Sequence, residues 1–430
     1  MLREWPWMAT KLFNRNFTLL WLGQSVSQLG NGAGFIAVMW WIQTTTGSAM
    51  ALGTLAMIQS LIGVGLGPFA GTLVDRANRK HIIVLSDLVR GLLSLLLAWL
   101  VFTDGLTLPA LFLVKGITAV CAHFFYPAIG ASIPLLVPDK ELERANSLNQ
   151  ITINLVNIIG FGAGGILVAL TGVPALLLIN GLAFIVSAIS EMFIHIPTVN
   201  KTKPVGGARA FLGEIVTGIQ YIRGNQVLFK ILQVAMILNF FFAPYFVLLP
   251  LFVSDHLGAG SDVYGYLLSA QMLGALTATL IISLSQVVKR NLWLVKWGLV
   301  IQAATMLVLP FLPRELWLIH TGLFAVGGLF NAFVNIFFGA LVQRTSDPKH
   351  LGKVFGVMST MTGGLQPLSQ GLSGALADFI KVPVIYTVCS IANGASGVMF
   401  TQIRGIDRFL AGEKQPQEQP VAAKTATANA

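Results

Sequence analysis

The chain has 430 residues, 55% of them hydrophobic and only 10% charged, where a soluble domain averages about 25% charged. A chain this apolar cannot cover its surface in water, whereas in a bilayer the outer surface faces lipid. Its net charge of +10 would suit a nucleic-acid partner only if the basic residues formed one patch.

In chain order, apolar runs of the length needed to cross a bilayer, about 20 residues, fall near 17–43, 49–74, 81–103, 108–136, 146–171, 173–195, 227–253, 263–286, 292–312, 316–343, 352–380 and 383–403. The expected fold is an all-α membrane protein of twelve spans. Residues 1–16 hold charges and tryptophans but no apolar core of a secretory signal, so span 1 is expected to start insertion. Cys121 and Cys389 both lie inside apolar spans and read as small buried hydrophobes rather than a disulfide framework.

The basic residues separate by loop. With the N-terminus inside, the cytoplasmic segments hold 22 of the 27 Lys and Arg, the external loops hold Arg314 and Lys381, and Arg90, Lys115 and Lys296 lie within spans. This asymmetry sets the orientation by the positive-inside rule, with both termini cytoplasmic, and leaves no need for nucleic acid. Trp40, Trp41, Trp99, Trp293 and Trp317 sit near span ends, as an interfacial belt would.

One loop is long. Residues 196–226 are basic and carry Phe211, Ile215, Ile219 and Ile222 at helical spacing, which predicts an amphipathic segment along the cytoplasmic interface. It divides the chain into an N-terminal segment 1–16, a six-span bundle 17–195, the linker 196–226, a second six-span bundle 227–403 and a tail 404–430, expected to be disordered. The halves echo each other. GTLAMIQS at 53–60 aligns with GYLLSAQM at 265–272, so Gly53 matches Gly265 and Gln59 matches Gln271. LERANS at 142–147 aligns with LGKVFG at 351–356, pairing Leu142 with Leu351 and Arg144 with Lys353.

Between spans 2 and 3 the chain reads Gly71-Thr-Leu-Val-Asp75-Arg76-Ala-Asn78-Arg79-Lys80. Read physically, Gly71 admits close packing, Asn78 tolerates a left-handed turn, and the three cations hold the loop at an anionic leaflet. The run resembles the signature loop of the major facilitator superfamily, G-x-L-a-D-r-x-G-r-k, with Asn78 in place of the second Gly. The wider chain is similar to the third drug:proton antiporter family, the macrolide-efflux and enterobactin-exporter type. The residues behind this are Trp21-Leu-Gly-Gln24, Thr46-Gly-Ser48-Ala-Met50, Asp87 with Arg90, Pro134-Leu-Leu-Val-Pro138 and Leu351-Gly-Lys-Val-Phe355. The resemblance implies the major facilitator fold, two six-helix pseudo-repeats, in a bacterial inner membrane. It also implies a latch from Asp75 to the start of span 11 near Gly352, where a helix N-terminus carries partial positive charge. Drug antiporters often carry G-P-x-x-G-G in span 5. Here the run is Gly160-Phe161-Gly-Ala-Gly164-Gly165, while span 11 keeps a proline in Gln366-Pro367-Leu-Ser-Gln370-Gly371.

Charges within a span need a reason. Asp87 and Arg90, three apart, can pair. Glu191 and Lys296 lie near span ends and can reach water. Lys115 sits deeper in span 4, where the family places a basic residue, and burial makes Lys able to exchange a proton. His123 follows two turns on. Lys115 ranks first and His123 second as coupling candidates, with Asp87 and Arg90 behind them. Gln24, Gln28 and Asn31 share one face of span 1, and Asn331 and Asn335 one face of span 10. The family lines its central cavity with spans 1, 4, 7 and 10, so these amides are cavity candidates, or else glue between helices. Phe240, Phe241, Phe242 and Tyr245 offer span 7 an aromatic wall.

No nucleotide-binding loop, metal-spaced Cys/His cluster or catalytic set is present. The expected function is secondary export of a small amphipathic compound, drug-, macrolide- or siderophore-like, by a cofactor-free monomer in the bilayer that is not an enzyme, with protons as coupling ion. Import or facilitated passage of a nutrient or lipid-derived solute is the second reading, and a non-transporting scaffold or sensor the third.

Overall fold

The computed structural model describes residues 11–197, 208–284, 292–347 and 350–403. The expected tail 404–430, most of the N-terminal segment and the first part of the 196–226 linker lie outside them, as does the side chain of Lys296.

Every expected span is a helix. The first half has α1 (Arg15–Thr46), α2 (Ala49–Arg76), α3 (Arg79–Phe102), α4 (Leu108–Leu136), α5 (Leu142–Thr171) and α6 (Val173–Met192). The linker contributes α7 (Ala208–Gly224). The second half has α8 (Gln226–Val247), α9 (Ser261–Leu284), α10 (Leu292–Val308), α11 (Trp317–Thr345), α12 (Leu351–Ala377) and α13 (Val382–Thr401). Nine helices among the described residues are long and apolar enough by themselves to cross a membrane. The others are α10, which is short there, and α1 and α12, whose glutamines, serines and glycines dilute their hydropathy.

Capping explains the boundaries. Asn14, Ser48, Asn78 and Asn225 each accept backbone N–H groups at a helix start. Gly47, at φ +59°, ends α1 in the left-handed form that glycine adopts without penalty. Asn78 departs from expectation. Its φ is −76°, and its side chain accepts from Lys80 and His81, so it caps α3 rather than making a left-handed turn.

Small residues bring helices together within each half. A Cβ on Gly91 of α3 would lie 3.1 Å from the Gly181 oxygen of α6. Gly34 of α1 lies against Asn180, and Gly164 of α5 against Ala33 of α1. Outward, the helices show apolar side chains such as Leu85, Leu92, Leu182 and Val186, a surface suited to lipid.

The two halves meet through a repeated contact. A Cβ on Gly53 of α2 would sit 2.6 Å from the Gln370 oxygen and 2.8 Å from Gly374 Cα of α12. A Cβ on Gly265 of α9 would sit 2.5 Å from the Phe161 oxygen and 3.0–3.1 Å from α5 at Gly165, whose own Cβ would meet Gly265 Cα at 2.9 Å. The echo between 53–60 and 265–272 is thus a pair of seams. Hydrogen bonds add to them: Gln43 Nε2 donates to Ser254 Oγ (2.8 Å), Ser60 Oγ to Gln370 Oε1 (2.7 Å), and Ser261 Oγ to the Gly165 oxygen (3.0 Å). One core at this end joins both halves through Ile42, Leu52, Phe252, Tyr264 and Tyr386. At the opposite end, which bears the 71–80 loop, each half keeps its own core, Phe17, Val74 and Ile133 in one and Leu228, Leu341 and Val354 in the other. The molecule is therefore closed at one end only.

Two expectations change here. Trp41 is buried and Trp40 stacks on Tyr264 across the halves, so of the paired tryptophans neither is a simple interfacial anchor, while Trp99 is exposed as a belt residue would be. In α7, Ile222 is buried and Tyr221 lies against His350 (4.6 Å between ring centroids), so the amphipathic helix packs across the start of α12. The side chains of Phe211 and Ile215 lie outside the described residues.

Because Gly53 and Gly265 face backbone, a larger side chain there must part the halves. Overpacking costs about 1–3 kcal/mol. Gly53→Val and Gly265→Val should each open this end, read as faster maleimide labelling of Gln43→Cys in a chain lacking Cys121 and Cys389. Unchanged labelling would show that the seams do not hold the end shut.

Candidate functional site

Ionisable groups gather in the first half. On α6, Asn180, Ser187 and Glu191 recur at helical spacing and share the face turned to α1 and α3. Gln24 of α1 donates to Glu191 Oε1 at 2.7 Å, and Ser187 Oγ reaches the same oxygen at 3.4 Å. On α3, Arg90 Nη1 donates to Asp87 Oδ1 at 3.1 Å. The guanidinium carbon lies 4.1 Å from the ring centre of Phe184 and 5.1 Å from that of Phe125 on α4, each a cation–π contact. Asp87, Arg90 and Glu191 are 0%, 3% and 1% exposed. Glu191 therefore does not reach water, contrary to its position near the end of span 6. The close crossing of α3 and α6 at Gly91 and Gly181 carries it inward. Asp87 Oδ2, Arg90 Nε and Glu191 Oε2 are buried without a hydrogen-bond partner. Two acids and one base thus share an enclosed space.

The other candidates are placed apart from this cluster. Lys115 is half-buried on α4 and makes no ion pair among the described residues. The ring of His123 covers Gly63 of α2, with Nε2 2.7 Å from where a Cβ would be. Gln28 Nε2 lies 3.3 Å from the Tyr126 hydroxyl of α4. Asn31 is half-buried. Gln24, engaged by Glu191, has its amide nitrogen committed inside the bundle.

In the second half, a cavity of about 230 Å³ opens between α8, α10, α11, α12 and α13. Asn331 and Asn335 both line it, one turn apart, with Asn335 Nδ2 donating to the Asn331 backbone oxygen at 2.9 Å. Sequence reasoning missed Asn239, Gln302 and Asn393, which complete an amide set around the same space. The Asn393 side-chain oxygen is buried without a partner. Gln302 and Asn393 lie in spans 9 and 12, which carry no expectation of facing a cavity, whereas Asn239 lies in span 7, where the resemblance already implied one. Phe242, Phe338 and Phe355 supply aromatic wall, and among the described residues no charged one lines the cavity. Phe242 alone of the span 7 aromatic run faces it. Phe240 and Phe241 line an apolar groove with α12 and α13, and Tyr245 is buried, its hydroxyl donating to the Tyr386 oxygen. Such a space can hold a neutral or amphipathic solute by hydrogen bonds and ring contacts, without a fixed counter-charge.

The signature loop lies at the open end. Asp75 is exposed and accepts from Arg79 Nη2 at 3.1 Å, while Arg79 Nη1 also donates to the Ala131 oxygen of α4 at 2.9 Å. Gly71 and Gly352 both face open space. Arg76 and Lys80 flank the loop within α2 and α3. The implied latch between Asp75 and α12 is not engaged, since the molecule is closed at the other end.

Two helical halves joined at one end, with an uncharged cavity inside the second, have the form of a membrane transport protein. The Major Facilitator Superfamily profile matches residues 20–365 and 245–428. The chain is 26% identical over 367 residues to Macrolide efflux protein A of Streptococcus pyogenes, 85% of this chain and 90% of that protein. It is 26% identical over 393 residues to the multidrug efflux pump Tap of Mycolicibacterium fortuitum, covering 88% and 94%. Its fold is similar to a bacterial homologue of the iron transporter ferroportin in an inward-facing state, with a TM-score of 0.67 at 16% identity over 90% and 99% of the chains. The nucleoside transporter NupG gives a TM-score of 0.64 at 16% identity, covering 92% and 98%. The chain belongs to the major facilitator superfamily and is a multi-pass transporter rather than an enzyme.

Breaking a buried ion pair from one side costs about 3–5 kcal/mol, because the other charge is left alone. Arg90→Met should lower the melting temperature of the purified protein markedly, and Asp87→Leu added to it should restore part of the loss. A double variant melting below Arg90→Met would show that the pair is not what holds these helices.

Proposed function

We propose that this transporter exports a small amphipathic compound of the macrolide or multidrug type, by proton-coupled antiport through alternating access. The observation that carries the reading is the uncharged cavity of amides and aromatic rings. It suits neutral or weakly basic amphipathic solutes better than anions, and it agrees with macrolide and multidrug efflux in the relatives. The halves 17–195 and 227–403 act as the moving bodies around it, with 196–226 as the tether. The protein works as a monomer in the bacterial inner membrane, both termini and the 71–80 loop facing the cytoplasm, which makes the open end the intracellular one. Asp75 latches to α12 when that end closes, and Gly71, Arg76, Arg79 and Lys80 serve the same loop. Coupling rests on ionisable groups of the first half, among which Lys115, His123, Asp87 and Arg90 are candidates. Gln28, Asn31, Asn331 and Asn335 contact the solute.

The direct test is accumulation of a labelled macrolide panel in cells with and without the protein, then efflux from proteoliposomes under an imposed pH gradient. Lower accumulation and gradient-driven efflux are expected. Raised accumulation would replace export by uptake, and transport indifferent to the gradient would remove proton coupling. Asn335→Leu should weaken macrolide binding about tenfold, as loss of a buried hydrogen bond of about 1–3 kcal/mol implies; unchanged binding would move the site elsewhere. Reporter fusions at residue 210 and at the C-terminus should read cytoplasmic, and a periplasmic signal at either would reverse the orientation.

A further inference from the structure

The cluster of Asp87, Arg90 and Glu191 contains more acid than base. Arg90 is spoken for by Asp87 at 3.1 Å and by the faces of Phe184 and Phe125. Glu191 has no cation of its own. One oxygen accepts from Gln24 and Ser187, and the other is buried without a partner. An isolated buried carboxylate is among the costliest groups a protein can hold, whereas the neutral acid is cheap to bury. The ionisable groups that act on Glu191 are Asp87 and Arg90, both from α3. The α1 helix presents only the amide of Gln24, and Ser187 of α6 reaches toward Asp87 as well.

A coupling group must also meet the space between the halves. Gln24 begins a ladder of amides on one face of α1, followed by Gln28 and Asn31 at helical spacing. Gln28 contacts the hydroxyl of Tyr126, whose side chain is exposed. Gln24 lies nine residues into α1, about 14 Å along its axis, which sets the acid back from the start of α1 although it is one residue from the end of α6. Glu191 thereby lies at the base of a run of polar side chains that ends at the exposed Tyr126.

We propose that Glu191 is the residue that takes up and releases the coupled proton, held by Gln24 and Ser187 and reached from the gap between the halves along Gln28 and Tyr126. This rests on the proton-coupled reading above. The step is one proton onto the Glu191 carboxylate, giving the neutral acid, and its return to water on the other side of the membrane; no other bond changes. Loss of that proton puts a second negative charge beside Arg90. The guanidinium is then drawn between two acids, away from Phe125, and α4 feels the change through that ring. Lys115 offers no comparable partner whose contacts would alter with its charge.

The test uses the full chain in proteoliposomes with a labelled macrolide. Glu191→Gln should lose efflux driven by a pH gradient while keeping macrolide exchange between equal concentrations on the two sides, which also shows that the variant is folded. The macrolide-induced infrared difference spectrum should show the loss of a protonated-carboxyl band in the wild type and in Asp87→Asn, and no such band in Glu191→Gln. Gradient-driven efflux retained by Glu191→Gln, or a band that persists in it, overturns the assignment. So does a loss of driven efflux in Lys115→Met with Glu191→Gln unaffected. A wild type that exchanges macrolide but ignores the gradient instead sinks proton coupling itself, with Glu191 along with it.

Discussion

A bilayer interior offers no hydrogen bonds, and that constraint shapes the whole molecule. Each backbone polar group must be satisfied within its own helix. Each polar side chain must find a protein partner or a cavity. The consequence is a sorting of helices. Apolar helices such as α3 and α6 present leucines and valines to lipid and keep Asp87, Arg90, Ser187 and Glu191 on the inner face. The helices too polar to qualify as spans by composition, α1 and α12, both carry contacts between the halves.

The same constraint explains the glycines. With lipid as solvent, no hydrophobic force favours one helix pair over another, so association relies on close packing and hydrogen bonds. Gly91 against Gly181 draws α3 onto α6 within the first half. Gly53 against Gly374 and Gly165 against Gly265 draw one half onto the other. The first is a contact within a body and the others lie between bodies. The seams themselves are made of backbone, with few side chains to disentangle, while the core shared through Ile42, Leu52, Phe252, Tyr264 and Tyr386 must part when this end opens. The serine and glutamine bonds beside the seams, Ser60 to Gln370 and Ser261 to the Gly165 oxygen, add direction to a contact that is otherwise only close.

Much of the fold was legible in the sequence, because hydropathy reports on lipid directly. The twelve apolar runs and the amphipathic linker segment all became helices. The echo of Gly53 with Gly265 turned out to mark two equivalent contacts. The site was less legible. Asp87 and Arg90 were readable as a pair because they lie on one helix at a fixed spacing. Glu191 was misread because its position along α6 says nothing about the neighbours across the crossing, and the crossing depends on a glycine pair far apart in sequence. Gln24 looked like a cavity residue for the same reason, since helical spacing gives the face but not what the face meets. Asn393 and Gln302 were passed over because only the packing of α10 and α13 behind α11 turns their amides toward the same space.

The division of labour between the halves then has a mechanical meaning. The charged cluster lies wholly in the first half, on α1, α3, α4 and α6, while the uncharged cavity is lined wholly by the second, from α8 to α13. On the proposed reading the residue that takes the proton, Glu191, is not one that contacts the solute, so neither can displace the other by direct competition. Coupling has to pass through the equilibrium between the two arrangements of the halves, each ligand favouring one of them by its differential affinity. The first half is suited to transmit such a bias. Its buried charges are fixed to α1 and α4, the helices that carry Gln28 and Tyr126, and a change of one charge beside Arg90 alters contacts on both at once. A solute cavity without charged residues among its described lining is then the natural complement, because it can accept varied amphipathic molecules without disturbing the protonation that drives the cycle.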